Sequence, residues 1–129
     1  MEINWIAVIA AAASSFLLGG IWYSALFAKA WQKAAGLSDA QLKAGNPALI
    51  FGGSFVLALI ASVSFAAFLG NEMDAATGAL YGFTAGLCWV SASFGINYLF
   101  ERKSLMLFLI NGGYHTLQFT LIGAILGAL

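Results

Sequence analysis

Charge is scarce in this chain: five Lys or Arg and five Asp or Glu among 129 residues, 8% of the total, where a soluble domain carries roughly a quarter. So few charges do not cover a folded surface facing water, so lipid must do part of the solvating. Neither sign is in excess, and a formal net charge of zero removes the basic field that nucleic acid requires. A single cysteine, Cys88, excludes an intrachain disulfide, and one Cys with one His does not make a zinc site. No metal or cofactor is expected. Ahead of the first apolar run stands Glu2 but no Lys or Arg, so the positive start of a secretory signal peptide is missing. The run from Trp5 to Phe27 is long enough to cross a bilayer and is read as a retained span.

What remains is long and apolar. A hydrocarbon core of ~30 Å takes ~20 helical residues, and four segments qualify: Asn4–Phe27, Pro47–Leu69, Ala75–Phe100 and Ser104–Leu129. None contains an acidic or basic residue. The expected fold is all-α, a polytopic membrane protein with four transmembrane helices in one domain over residues 1–129, and the lipid bilayer is its first partner. In the long connector, residues 28–46, Ser38-Asp39-Ala40-Gln41 reads as a capping box opening a short helical turn, with Leu37 and Leu42 at the lipid surface. Pro47 fits the first turn of the second span. Asn71, Glu72 and Asp74 make an acidic second connector, and Glu101-Arg102-Lys103 a tight third one.

Basic residues set the orientation. Lys29, Lys33 and Lys43 lie in the first connector, Arg102 and Lys103 in the third, and none elsewhere. The positive-inside rule then places connectors 28–46 and 101–103 in the cytoplasm and both termini outside it. Trp22, Tyr23, Trp31 and Tyr98 crowd the cytoplasmic interface, while Trp5 and Tyr81 lie toward the other.

The chain also repeats itself. Phe16, Gly19, Trp22, Ser24, Ala25 and Phe27 match Phe83, Gly86, Trp89, Ser91, Ala92 and Phe94 at a constant shift (89 − 22 = 67). Leu49-Ile50-Phe51-Gly52-Gly53 matches Leu109-Ile110-Asn111-Gly112-Gly113 at a second shift (109 − 49 = 60). The longer first connector accounts for the difference. The expected arrangement is a helical hairpin used twice, over residues 1–70 and 75–129, both copies inserted in the same sense. A pseudo-twofold axis along the membrane normal would relate them.

Lipid tails are as apolar as Leu, so helices associate in membranes by close packing and interhelical hydrogen bonds. Small residues at every fourth position supply the closeness: Ala7, Ala11, Ser15 and Gly19 in the first span, and Ser54, Ala58, Ser62 and Ala66 in the second. Gly78, Gly82 and Gly86 form a double GxxxG stripe in the third, and Gly123 and Gly127 close the fourth. These faces serve packing within the chain or between copies, and a homo-oligomer is expected because four short helices enclose little interior.

One face of the fourth span carries Asn111, His115 and Gln118, spaced i, i+4, i+7. Polar side chains near the bilayer midplane are costly unless paired, and they nominate a functional site. Ser15 and Ser91 lie at similar depth on other spans and complete the candidate midplane cluster. At the 60-residue shift the first hairpin has Phe51, Phe55 and Ala58 in place of Asn111, His115 and Gln118, so the polar face is asymmetric. Structural glue, a transport or ligand site, and an intramembrane Ser–His hydrolase all remain open. The hydrolase lacks a G-x-S-x-G nucleophile motif and any carboxylate within the bilayer to orient the histidine.

Gly20-Ile21-Trp22-Tyr23-Ser24 with Phe27 and Trp31, and Asn111-Gly112-Gly113-Tyr114-His115, resemble motifs of a family of small bacterial membrane proteins of unknown function, DUF1761. The resemblance covers essentially the whole chain. It draws attention to Trp22, Tyr23, Ser24, Asn111, Tyr114 and His115, and implies no activity. Pro commonly follows the W-Y-S element in that family, whereas Ala25 stands there here. The expected role is an oligomeric transporter or channel for a small solute or ion, with no catalytic residues. Its alternative is a non-catalytic scaffold or accessory subunit that binds other transmembrane helices.

Overall fold

The computed structural model describes residues 2–129. Its elements are α1 (Trp5–Leu26), α2 (Ala28–Ala35), α3 (Asp39–Lys43), α4 (Pro47–Leu69), α5 (Ala75–Glu101) and α6 (Leu105–Ala128). Four of them, α1, α4, α5 and α6, are long and apolar enough to cross a membrane, and no strand occurs among the described residues. The chain is a multi-pass, all-helical membrane protein, and the observed spans fall within two residues of those expected.

Each span starts where a side chain accepts a hydrogen bond from an otherwise unpaired first-turn N–H. Asn4 Oδ1 accepts from Ala7 N at 3.1 Å, Asn46 Oδ1 from Leu49 N at 3.3 Å, Asp74 Oδ1 from Thr77 N at 2.7 Å and Ser104 Oγ from Leu107 N at 3.2 Å. The Thr77 hydrogen bonds hold the Asp74 carboxyl below its ordinary range. Gly36 ends α2 in the left-handed region at φ 73°, where Leu37 N reaches back to Gln32 O. Arg102 plays the same part after α5 at φ 61°, with Lys103 N donating to Tyr98 O.

Two of the spans are not α-helical throughout. Residues Ile21–Leu26 of α1 and Ala85–Ser91 of α5 form π-helical turns, and Phe27 N donates to Trp22 O at 2.9 Å. Hydropathy gives no sign of them. The first connector was expected to hold one capped turn. That turn is present as α3, with the reciprocal Ser38–Gln41 bonds of a capping box, but an additional helix, α2, precedes it. Ala28, Trp31, Gln32 and Ala35 form the partly covered side of α2 while Lys29 and Lys33 are exposed. This amphipathic pattern was the available signal.

The last helix is central. It packs most closely on α5, then on α1, and α1 in turn packs on α4. Between α4 and α5 there is almost no contact. The α5–α6 seam is a backbone-to-backbone approach, because a Cβ at Gly78 would overlap the Gly123 carbonyl, at Gly82 that of Phe119 and at Gly127 that of Asp74. The GxxxG stripe is therefore consumed inside the chain. The α1–α4 seam is built of Ala and Ser: Ala11, Ala12, Ser15 and Ser62 are all buried, and Ser62 Oγ is shut away without a partner. Large apolar side chains such as Leu17, Leu57, Phe68, Leu99 and Phe100 stand outward on every span, a surface suited to hydrocarbon and not to water.

Candidate functional site

Around the basic-residue end of the bundle, aromatic side chains of α1 and α5 grip α6. The π-helical turn of α1 brings Trp22 and Tyr23, adjacent in sequence, against the same helix. Trp22 Nε1 donates to Ile110 O at 2.8 Å, and a Cβ on Gly113 would stand 3.0 Å from the indole. Tyr23 OH donates to Asn111 Oδ1 at 2.6 Å, and Asn111 Nδ2 donates to Tyr98 OH at 2.7 Å. One carboxamide thus links three spans. Tyr114 OH donates to Ser15 O at 3.0 Å, its ring lying 5.3 Å from that of Tyr23 and beside Gly19. Trp31 of α2 meets Tyr23 edge-on at 5.8 Å, which ties the interfacial helix to the same group.

His115 sits one turn further along α6. Its Nδ1 pairs with Gln118 Oε1 at 2.7 Å, and its ring stacks on Phe94 at 4.8 Å and 10° while meeting Tyr114 edge-on at 4.9 Å. Nε2 makes no hydrogen bond within the protein. Among the described residues, only Ser62 Oγ is both fully covered and unpartnered, so Nε2 is not fully covered.

The five residues nominated as a midplane cluster do not form a single group. Asn111, His115 and Gln118 share a face of α6, and the tyrosines and Phe94 close over it. Ser91 lies on the α5 seam, where its Oγ donates to Gly112 O at 2.7 Å and lies 3.1 Å from Thr116 Oγ1. Ser15 Oγ turns back to Ala11 O at 3.3 Å. Of the motif residues, Trp22, Tyr23, Asn111, Tyr114 and His115 meet in one neighbourhood, whereas Ser24 is exposed. Tyr98 and Phe94 were not nominated. The signal for Phe94 was its place in the repeated motif, and for Tyr98 its place in the aromatic belt.

Chemically the site is a hydrogen-bonded clasp with one free imidazole nitrogen. Among the described residues no three His, Cys, Asp or Glu side chains come together. Among the described residues, the shallow cavities include one of about 390 Å³ at the opposite end, beside Glu2, Asn71 and Gly127, and an apolar one of about 320 Å³ on the outer face, between Trp22, Phe83, Leu109 and Leu117. Neither is lined by His115, Asn111 or Gln118.

No curated protein matches the chain, and no solved structure does. A family model does match, over residues 6–127, and its description is a protein of unknown function. That stretch takes in all but the outermost residues of the four membrane helices and the whole aromatic clasp, and on it the chain belongs to the DUF1761 family.

Proposed function

We propose that this chain is a non-catalytic membrane scaffold or accessory subunit, whose polar residues serve helix association. The observation that carries this reading is the clasp at Asn111, which spends its carboxamide on Tyr23 and Tyr98 from two other spans. Ser91 and Tyr114 likewise donate to the backbone of a neighbouring span, at Gly112 O and Ser15 O. Interhelical hydrogen bonds in membranes contribute about 0.6 kcal/mol each on average, enough to fix register among otherwise smooth helices. One observation favours the transport reading: His115 Nε2 makes no hydrogen bond and is not fully covered.

The two readings differ in what His115 and Asn111 do. In liposomes loaded with a pH dye and potassium, the scaffold reading expects proton and potassium leak equal to that of protein-free vesicles, unchanged by His115→Ala. Asn111→Leu is expected to lower stability by about 2 kcal/mol, since two bonds are lost and two tyrosine hydroxyls are left unpaired. Flux that His115→Ala abolishes would overturn the scaffold reading in favour of transport.

The orientation proposed from the basic residues puts α2, α3 and the Arg102–Lys103 turn in the bacterial cytoplasm, and both termini outside it. Alkaline phosphatase fused after Leu129 is expected to be active, and a fusion within residues 37–45 inactive. The reverse pattern would invert the topology.

A further inference from the structure

We infer that two copies of this chain associate through α5 of one and α4 of the other, reproducing between molecules the α1–α6 junction found inside each. The inference rests on reading the chain as a presenter of helix faces, and it names the partner as a second copy.

The internal junction supplies the template. Trp22 donates its indole N–H to the Ile110 carbonyl, and its ring lies over Gly113, where a Cβ would press on it at 3.0 Å. At the shift of 67, Trp22 corresponds to Trp89, and at the shift of 60, Ile110 and Gly113 correspond to Ile50 and Gly53. The correspondence extends to structure. Both tryptophans sit in π-helical turns, at Ile21–Leu26 and Ala85–Ser91. The small-residue faces also align at the same shift, Ala11, Ser15 and Gly19 with Gly78, Gly82 and Gly86.

The second junction is vacant in a single copy. Trp89 is 65% exposed and Ile50 51% exposed, and nothing lies within 4 Å of a Cβ built on Gly53. The Trp89 indole N–H has no acceptor in the chain. Trp89 stands twelve residues before Glu101 (101 − 89 = 12), about 18 Å along the helix. An unpaired donor at that depth sits in hydrocarbon, where it costs free energy. Within one copy the two faces do not meet: the glycine seam holds α5 on α6, the Ala and Ser seam holds α4 on α1, and the α1–α6 junction sets them apart. Two copies related by a twofold axis along the membrane normal present α5 to α4 twice and leave neither face unfilled. The result is a closed ring of four hairpins, each junction pairing the first helix of one hairpin with the second helix of the next.

The junctions differ in their polar side chains. Where Tyr23 meets Asn111, the second junction has Val90 and Phe51, so it is apolar and weaker. Copies separate more readily than the chain unfolds.

Cross-linking tests this directly. In a Cys88→Ser background, two differently tagged copies are co-expressed, one carrying Gly53→Cys and the other Trp89→Cys, and membranes are treated with a short thiol-specific bifunctional reagent. A product of dimer mass carrying both tags is expected, and it should vanish when either new cysteine is omitted. Trp22→Cys with Gly113→Cys in one chain calibrates the reaction at the internal junction. A cross-link formed only within the doubly substituted Gly53→Cys/Trp89→Cys chain would overturn the inference. A second measurement avoids cysteines: Gly53→Leu is expected to lower the dimer fraction in lipid vesicles, counted by single-molecule photobleaching, at least tenfold with no change in thermal unfolding. A wild-type protein that counts as monomers, or a dimer fraction indifferent to Gly53→Leu, would sink it. Both measurements read association alone, so their failure leaves the flux experiment intact.

Discussion

Gly82→Leu is expected to destroy the α5–α6 hairpin, at a cost of roughly 4 kcal/mol or more, measured as unfolding by denaturing detergent in mixed micelles. The physical reason is contact between main chains. A Cβ at Gly82 would overlap the Phe119 carbonyl, with Thr120 Cα 3.1 Å away, and neither is the flexible end of a side chain. Room for Leu exists only if the helices separate. Separation removes the Gly78–Gly123 and Gly127–Asp74 approaches as well, so the loss spreads along the whole seam. Gly52→Leu is the matched control, because nothing lies within 4 Å of a Cβ there, and it should stay within about 0.5 kcal/mol of wild type. Equal stability of the two variants would refute the seam.

Trp22→Ala is the second large effect expected, at about 3 kcal/mol in the same measurement. The indole fills the space over Gly113, lies 4.8 Å from the Phe27 ring and donates to the Ile110 carbonyl. Trp22→Phe keeps most of the area and loses the hydrogen bond, so it should cost about 1 kcal/mol. Trp89→Ala is expected to leave the unfolding of a single chain unchanged, since Trp89 is exposed and unpaired within it. A Trp22→Ala variant as stable as wild type would mean that α1 is held to α6 by something other than this clasp.

The spans were readable because hydrocarbon permits no ambiguity: backbone polar groups must pair within the helix, and charged side chains are driven to the ends. Pro47 marked the start of the second span, and Asn46, Asp74 and Ser104 cap their helices for the same local reason that they cap in water. The π-helical turns were not read from hydropathy. Shifting a hydrogen bond by one residue leaves Ile21–Leu26 and Ala85–Ser91 as apolar as before. The repeated W-x-S-A element was the trace they left. Helix α2 was hidden by Lys29 and Lys33, which made an amphipathic helix resemble a polar loop.

The candidate site was half visible. Spacing placed Asn111, His115 and Gln118 on one face, and His115 does pair with Gln118. Depth in the membrane then suggested Ser15 and Ser91 as neighbours, but depth says nothing about angle around the helix. Ser91 approaches α6 from the glycine seam, while Tyr98, nearer the end of the same helix, is the side chain that reaches Asn111.

The π-helical turns carry a geometric consequence. Each squeezes one surplus residue into the coil, so everything beyond it is rotated by about 100° relative to an unbroken α-helix. In α5 that offset lets the stretch before it lie flush on α6 through Gly78 and Gly82, while the stretch after it aims Phe94 at the imidazole. The span behaves as two differently phased rods on one axis, and their relative phase is set by the number of residues between Ala85 and Ser91, not by the side chains those residues bear.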